Sequence, residues 1–213
     1  MRFADRTQAG VMLAQKLSSY VQQPDVVVLG LPRGGVPVAY EVAKALHAPL
    51  DVLVARKLGV PGFEELAMGA VASGGARVLN EDVLADTEVP WVEVEAVTRR
   101  EMREIERREA EYRAGRPSLS LQHGVVILVD DGLATGATMR AAIAAARVQE
   151  PARLVVAVPT GARETVTALR PLVDDVVTVM TPESFIAVGL WYLDFSPTTD
   201  EEVRALLANA AAH

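Results

Sequence analysis

Continuous apolar runs alternate with helical patterns along most of this chain. An unbroken run of apolar residues is typical of a strand that is covered on both faces. Such runs predict strands at Val26–Leu31, Asp51–Ala55, Val125–Val129, Arg153–Val158 and Asp175–Met180. Helical patterns are found at Asp5–Val21, Val36–Leu46, from Met139 to about Gln149, at Ala162–Leu169 and at Asp200–Ala211. Strands that alternate with helices indicate an α/β fold with a mainly parallel central sheet flanked by helices.

One stretch, Leu58–Gly75, does not fit this alternation. It contains five glycines, a proline and two glutamates, and only Met68–Ala72 has the pattern of a strand. It is longer than an ordinary connection and too irregular for a packed element. We therefore expect a mobile loop with a role in function.

A second unusual stretch, at about 88–116, is rich in alternating charges. The pairs Glu104–Arg108 and Glu109–Arg113 have the i,i+4 spacing of helical ion pairs. One face carries the apolar residues Val94, Val97, Met102, Ile105 and Tyr112. The pattern predicts an exposed amphipathic helix that docks by one stripe. A nucleic-acid surface is disfavoured because the acidic residues match the basic ones.

The segment Val125–Met139 carries the densest candidate chemistry. After the apolar strand come two carboxylates, Asp130 and Asp131, and then a loop of small and hydroxylated residues that leads into a helix. A helix start binds phosphate through its free N–H groups and its dipole. Carboxylates can accept hydrogen bonds from sugar hydroxyls. The segment predicts a site for a sugar phosphate, and the alternative is a strand-end turn with two solvated acids.

Further polar segments follow other predicted strands. Gly34-Gly35 comes after the first strand and Arg56-Lys57 after the second. Ligands of open α/β sheets bind beyond the carboxyl ends of the strands. We therefore expect these segments to converge with Asp130–Thr138 on one site.

Composition narrows the class of protein. A chain of 213 residues is long enough for one well-buried domain, and its net charge of −7 argues against a nucleic-acid partner. Cysteine is absent, which excludes thiol catalysis and disulfides, and His47, His123 and His213 lack metal-site spacing. The first ten residues are polar and no apolar run reaches membrane-spanning length. We expect a cytoplasmic protein with no membrane association.

The sequence VVILVDDGLATGATM resembles the phosphoribosyl-pyrophosphate (PRPP) motif of the type I phosphoribosyltransferases. Leu31–Gly35 is similar to the pyrophosphate loop of that family, and the stretch after Arg56-Lys57 lies where the family has a flexible catalytic loop. The resemblance covers about residues 25–195, and it implies that the helix at about 88–116 is an insertion relative to the simplest members of the family. It implies a Rossmann-like core at about 25–180 and a small hood at about 181–213, to which the N-terminal segment is a candidate addition.

The resemblance also implies roles for individual residues. Asp130 and Asp131 would hold the ribose hydroxyls and stabilise positive charge on the ring. Arg33, together with either Arg56 or Lys57, would neutralise the pyrophosphate, which the backbone at Gly34 and Gly35 approaches closely. The residues implied to wrap the 5′-phosphate are Ala134, Thr135, Gly136, Ala137 and Thr138. Mg²⁺ would arrive with PRPP, since it prefers substrate oxygens and water to an all-protein cage.

The acceptor is where the sequence gives mixed indications. The tail is similar to that of the 6-oxopurine branch of the family, which implies that Phe185 stacks on a base and that Asp194 lies near a metal. That branch usually has an aspartate at the position of Ala134, where it exchanges a proton with the purine. Alanine puts a 6-oxopurine substrate in doubt. Trp191, Tyr192 and Phe195 have the simpler alternative of closing a core.

Two functional hypotheses follow from the resemblance. The first is a Mg²⁺-dependent enzyme that transfers phosphoribosyl from PRPP to a nitrogenous, purine-like base and releases pyrophosphate. The second is a non-catalytic protein that senses PRPP. A homodimer is expected in either case. A dinucleotide-binding fold is disfavoured because Gly30–Val36 reads GLPRGGV and lacks the G-x-G-x-x-G pattern.

Overall fold

Five parallel strands form the centre of the molecule in a computed structural model that describes residues 1–212. In chain order the strands are β1 (Val26–Gly30), β2 (Leu50–Val52), β3 (Ala55–Val60), β4 (Phe63–Ala72), β5 (Arg77–Leu79), β6 (Val125–Val129), β7 (Arg153–Thr160) and β8 (Asp175–Met180). The helices are α1 (Arg6–Lys16), α2 (Gly35–Leu46), α3 (Glu81–Thr87), α4 (Trp91–Arg113), α5 (Ala137–Val148), α6 (Arg163–Leu169) and α7 (Asp200–Ala210). The parallel sheet has the order β2-β1-β6-β7-β8, and β3-β4-β5 form a small antiparallel sheet. The predicted α/β class is confirmed.

Helices cover both faces of the parallel sheet, and this explains the continuous apolar runs. Val28 and its neighbour Leu29 in β1 belong to different hydrophobic clusters, because successive side chains point to opposite faces. One cluster includes side chains of α1, α2, α4 and α7, and the other includes side chains of α5 and α6. Most residues of β1, β6 and β7 are therefore buried whichever way they point, whereas most of the edge strand β8 is only partly buried.

The expectation that Leu58–Gly75 is an irregular loop was wrong, although the strand predicted at Met68–Ala72 is present as the second half of β4. The stretch forms most of the hairpin β3–β4, whose strands are joined by Pro61-Gly62, with Gly62 at φ +79°. A turn of this kind needs positive φ, which glycine adopts at little cost. Leu58 and Met68 near the base are fully buried, whereas Phe63 at the tip is 72% exposed. The hairpin has a packed base and a solvated tip.

The predicted strand Asp51–Ala55 is also corrected. Strand β2 ends at Val52, and Ala55 already belongs to β3 of the other sheet. The apolar run continues across the junction because Leu53 and Val54 are buried between the two sheets. Apolar continuity alone does not reveal that the chain changes sheets.

The charged stretch forms α4, the predicted inserted helix. Glu104 accepts a hydrogen bond from Arg108 at 2.8 Å, and Glu109 accepts one from Arg113 at 2.8 Å, as the i,i+4 spacing predicts. Val94, Val97, Ile105 and Tyr112 are buried, and Met102 is partly buried against the same core. The sequence did not reveal that Glu101 is also buried.

A buried ion pair attaches the end of α4 to β2. Asp51 is 6% exposed, and its carboxylate accepts hydrogen bonds from Arg113 Nε at 2.9 Å and 3.1 Å. The same carboxylate accepts from the backbone N–H groups of Val52 and Leu119. Because every one of these donors is close, the cost of burying the charge is largely offset.

The N-terminal segment pairs with the tail of the chain. Phe3 N–H donates to the Trp191 carbonyl, and Leu193 N–H donates to the Phe3 carbonyl, both at 2.8 Å. The rings of Phe3 and Phe195 lie 5.4 Å and 5.0 Å from that of Tyr192. Tyr192 and Phe195 therefore help to close a small core, as the simpler alternative predicted.

Two predictions from the sequence concern His213 and membrane-spanning segments. His213 lies outside the described residues. Within residues 1–212, no helix combines the length and the apolar character needed to cross a membrane.

Replacing Asp51 with asparagine should destabilise the protein substantially. Asp51→Asn keeps the volume but removes the anion from Arg113 Nε and leaves the half-buried guanidinium with Glu109 as its only acidic partner. The free energy of unfolding should therefore fall by about 2 kcal/mol in urea denaturation. The control is Arg147→Met, which breaks the exposed Arg147–Asp174 pair and should change that free energy by about 1 kcal/mol or less. Equal, small losses in both variants would contradict a structural role for Asp51.

Candidate active site

The loops that follow β1 and β6 touch each other at the carboxyl edge of the sheet. The two strands are paired in parallel up to Gly30 and Val129. A Cβ placed on Gly34 would collide with Asp131 Oδ2, and one on Gly35 would lie 2.7 Å from the Val129 carbonyl oxygen. Only glycine fits at these positions. The glycine turn and the acidic pair are thus adjacent, as expected for segments that follow the carboxyl ends of parallel strands.

The two carboxylates differ in their surroundings. Asp130 Oδ1 accepts a hydrogen bond from the Asp131 N–H at 2.9 Å. Burial raises the pKa of Asp130 well above its ordinary value, and the neighbouring charge of Asp131 raises it further. Burial also raises the pKa of Asp131, but the adjacent Arg6 guanidinium opposes this rise. Asp131 is therefore the better-neutralised acid of the pair.

Arg6, the first residue of α1, is a site residue that sequence reasoning missed. Its Nε donates to Asp131 Oδ2 at 2.9 Å, and its Nη2 lies 2.9 Å from the same oxygen. The two residues are 125 positions apart, so no local motif joins them. One signal was present, because a cation in the first turn of a helix opposes the helix dipole and needs a compensating partner.

The loop after the acidic pair ends in a helix start with free donors. Gly136 precedes α5 at φ +77°, and the first bond within the helix runs from Arg140 N–H to the Gly136 carbonyl at 2.9 Å. The N–H groups of the first residues of α5 consequently have no acceptor inside the helix. Thr135 and Thr138 are exposed beside them. This arrangement can bind a phosphate group.

The connection from β7 to α6 holds this loop in place. Leu133 N–H donates to the Thr160 carbonyl at 2.9 Å, and its own carbonyl accepts from Ala162 N–H at 2.8 Å. Thr165 Oγ1 donates to the Ala134 carbonyl at 2.5 Å. Thr165 was not among the predicted site residues. Its hydrogen bond fixes the backbone of the loop at Ala134, whose side chain is only a methyl group.

The three candidate basic residues are placed differently. Arg33 is exposed and follows a cis peptide bond after Pro32, and its side chain makes no hydrogen bond or ion pair within residues 1–212. Arg56 Nε donates to the buried Glu101 at 2.5 Å. Lys57 Nζ donates at 3.0 Å to Glu65, whose side chain is fully exposed. Arg56 is thus engaged by α4, whereas Arg33 and Lys57 remain accessible to a ligand.

The tail reaches the acidic motif through Val188. A Cβ on Gly132 would collide with Val188 Cγ1. Phe185 is partly exposed and stacks on Trp191, with ring centroids 6.3 Å apart and an interplanar angle of 22°. The structure therefore places Phe185 on the tail segment that contacts the motif.

Asp194 lies apart from the acidic pair, on the surface of the tail. Its Oδ1 accepts hydrogen bonds from the Ser196 hydroxyl and N–H at 2.6 Å and 2.9 Å, and these bonds lower its pKa. Among residues 1–212, no three His, Cys, Asp or Glu side chains are grouped so that they could hold a metal ion.

Comparison with known proteins identifies a family and relatives to which this chain is similar. Residues 6–190 match the family described as the phosphoribosyl transferase domain. Proteins from two Mycobacterium tuberculosis strains, CDC 1551 and H37Rv, each named "Putative phosphoribosyl transferase", are 49% identical over 208 residues. These matches cover 98% of this chain and 47% of each relative. The chain thus spans about half the length of the curated relatives that it matches.

Solved structures show the same fold. A protein from Thermus thermophilus is 43% identical, with a TM-score of 0.84, and the match covers 98% of this chain and 99% of that one. A protein from Aquifex aeolicus is 10% identical, with a TM-score of 0.53, and the match covers 95% and 85% of the two chains. The second likeness concerns the fold alone. The family match extends from α1 through the glycine turn, the hairpin and the acidic motif, and the chain belongs to the phosphoribosyl transferase family, as the resemblance of its PRPP motif implied.

Proposed function

We propose that this protein transfers 5-phosphoribosyl from PRPP to a nitrogenous base and releases pyrophosphate. The observation that carries the proposal is the continuous segment from Asp130 to Thr138, which joins an acidic pair to a helix start with free N–H groups. The glycine turn at Gly34-Gly35 abuts that pair. A ligand with a sugar between two phosphate groups fits such an arrangement.

The segment from Ala134 to Thr138 would bind the 5′-phosphate. Its free helix-start N–H groups and the two threonine hydroxyls supply donors, and the positive end of the α5 dipole favours the anion. The Thr165 bond to the Ala134 carbonyl keeps the loop in this conformation. Preorganised donors of this kind lose little entropy when the ligand binds.

The acidic pair would hold the ribose. Asp130 Oδ2 and Asp131 Oδ1 accept no hydrogen bond within residues 1–212, and they can therefore accept the ribose hydroxyls. As the bond to pyrophosphate breaks, positive charge grows on the ring, and the nearby carboxylates stabilise it electrostatically. This would lower the barrier to transfer.

The donor atoms present fit a Mg²⁺ ion that takes most of its ligands from PRPP and water. Hard carboxylate oxygens stand at the ribose position, and a protein cage of three ligands is not formed among residues 1–212. When bound, Mg²⁺ would neutralise charge on the departing pyrophosphate. Asp194 remains a proposed, peripheral contributor to this metal site.

The register of the hairpin favours Lys57 over Arg56 as the partner of pyrophosphate. Lys57 is paired with Ala70 of β4, and Ala70 packs in the cluster that contains the side chains of α5. Arg56 is paired with Val71, which packs in the other cluster together with side chains of α4. Since α5 begins at the proposed phosphate loop, Lys57 lies on the ligand side of the hairpin.

The exposed tip of the hairpin suits a cover for the site. Phe63 and Leu66 are 72% and 43% exposed, whereas Val60 and Met68 on the two strands are buried. Closing over the ligand would exclude water, which otherwise competes with the base as acceptor. The role of the stretch 58–75 as a catalytic loop thus stays proposed, with a hairpin in place of an irregular chain.

A purine-like base remains the favoured acceptor. Phe185 is held by its stack on Trp191 and offers a flat apolar surface to a ring. Ala134 offers no acid for a 6-oxopurine, and its carbonyl is already engaged by Thr165. The alternative, a PRPP sensor without turnover, predicts the same PRPP site but no reaction. A cytoplasmic homodimer stays a prediction.

Pyrophosphate release across a panel of bases tests the proposed function. With PRPP and Mg²⁺, at least one purine-like base should produce pyrophosphate and a nucleoside monophosphate. If PRPP raises the melting temperature but every base fails, the enzyme proposal is wrong and the sensor is favoured. If PRPP neither binds nor reacts, the assignment of the site is wrong.

Replacing Asp130 should separate chemistry from folding. Asp130→Asn removes a charge that faces the growing positive charge of the ribose, so turnover should fall about 100-fold or more. It also removes a crowded carboxylate, so the melting temperature should not drop. Asp25→Asn, at the opposite edge of the sheet, is the control and should leave both unchanged. Full turnover in Asp130→Asn would refute the role given to Asp130.

The two adjacent basic residues of β3 offer a matched pair of variants. Lys57→Met should raise KM for PRPP and lower kcat/KM about tenfold or more, because a cation near the leaving group is lost. Arg56→Met should chiefly lower stability, because Glu101 would stay buried without its main partner. The reverse pattern, with Arg56→Met more damaging to kcat/KM in a folded protein, would assign the role to Arg56.

A further inference from the structure

The guanidinium of Arg6 is held from several directions, and its side chain is 12% exposed. Nε and Nη2 lie against Asp131 Oδ2, and Nη1 donates to the Ser196 carbonyl at 2.7 Å. The Phe195 ring lies under the guanidinium, with 4.0 Å from Cζ to the ring centroid. Planar contacts of this kind are specific to arginine, since lysine lacks the fork of donors and the flat face.

This placement is unfavourable for the helix itself. Arg6 is the first residue of α1, where the positive end of the dipole repels a cation. The cap of α1 is already provided by Asp5, whose side chain accepts from Gln8 N–H at 2.8 Å. The helix therefore does not need Arg6, and its position is accounted for by Asp131 and the tail.

The contacts of Arg6 are confined to one oxygen of Asp131. Oδ2 takes both nitrogen contacts, and it lies so close to Gly34 that no side chain fits between them. Oδ1 receives no hydrogen bond within residues 1–212. The Asp131 carbonyl is held separately by the Tyr192 hydroxyl at 2.5 Å. Both the backbone and one oxygen of Asp131 are thus fixed, and the other oxygen is left for a ligand.

We propose that Arg6 is a positioning residue, which holds Oδ2 of Asp131 so that Oδ1 meets a ribose hydroxyl of the bound sugar phosphate. The inference rests on the proposed function, because it assumes that Asp131 binds the ribose. Because Arg6 also contacts Phe195 and Ser196, the tail of the chain helps to support the reaction centre. A residue of the N-terminal helix thereby controls the geometry of a carboxylate that follows β6.

Other ionisable groups face the same pair. Asp130 adds negative charge from the end of β6, and Asp194, on the tail, acts on Arg6 from the side of the tail. Asp5 and Glu202 line a small cleft of about 160 Å³ beside Arg6. Tyr192 stays neutral, because burial raises its pKa and the charge of Asp131 raises it further. Among these groups, Arg6 is the cation whose charge opposes the rise that burial gives to the pKa of Asp131.

The sign of the pH effect follows from this balance. A ribose hydroxyl donates a stronger hydrogen bond to the ionised carboxylate than to the protonated acid, so affinity is highest above the pKa of Asp131 and falls below it. Removing Arg6 raises that pKa, because the guanidinium opposes the effect of burial. The loss of affinity on acidification should therefore begin at a higher pH in a variant without Arg6.

The test compares PRPP and ribose 5-phosphate binding by calorimetry in wild type, Arg6→Met, Arg6→Lys and Lys16→Met, from about pH 5.5 to about pH 8.5. Arg6→Met should weaken binding about tenfold, as expected for loss of a group that orients a ligating side chain. The pH below which the affinity of Arg6→Met falls should be higher than in wild type. Arg6→Lys keeps the positive charge, so the pH at which its affinity falls should match that of wild type. Its affinity itself should be restored only in part. Lys16→Met, in the last turn of the same helix, should match wild type.

Two outcomes would overturn the proposal. One is an Arg6→Met protein that is folded and binds both ligands with the affinity and pH profile of wild type. The other is an Arg6→Met effect that persists undiminished in an Asp131→Asn background, where no carboxylate is left to position. If Arg6→Met does not fold, Arg6→Lys decides, and an affinity equal to that of wild type refutes the need for the arginine fork.

Failure of the proposed function looks different from failure of this inference. Wild-type protein that binds neither PRPP nor ribose 5-phosphate contradicts the site itself. If wild-type protein binds both ligands and the Arg6 variants bind them equally well, only the role of Arg6 is contradicted.

Discussion

Two carboxylates leave the sheet side by side at the end of β6, and much of the surrounding structure compensates for their charge. Neither acid is well solvated, so each needs donors or a cation nearby. The backbone supplies one donor, and Arg6 supplies the cation from a helix 125 residues away. Glycine at position 34 is required because a side chain would displace the oxygen that Arg6 holds. The start of α1, the pyrophosphate-loop candidate and the tail all contact this pair.

The inserted helix α4 is joined to the rest of the molecule by charges at two places. Glu101 engages Arg56 at the base of the hairpin, and Arg113 engages Asp51 on β2. Both acids are buried, so these contacts resist separation more than the surface pairs of the same helix do. The hairpin is anchored at its base by this helix and is free at its tip. A rigid base with a solvated tip suits a segment that moves as a unit.

Sequence patterns located the central elements well because burial on both faces leaves a simple signature. Val125–Val129 and Asp175–Met180 agree with β6 and β8 at every residue. The hairpin was missed because its glycines and its register shifts around Gly59 obscure the two-residue alternation of a strand. The choice between Arg56 and Lys57 depends on which face of β3 each occupies, and that is fixed by pairing with β4. The unfavourable place of Arg6 at a helix start was a signal that it has a partner, but the sequence did not identify Asp131, which is 125 residues away.

The pairing of Phe3 with Tyr192 has a consequence for the order in which this protein acquires its site. The ribosome makes α1 first, and the segment that carries Asp131 follows more than a hundred residues later. Phe195 and Ser196, which hold the guanidinium of Arg6, are made later still. During synthesis the sheet can assemble while Arg6 still lacks part of its support. Completion of the acidic site is thus coupled to the emergence of Phe195 and Ser196.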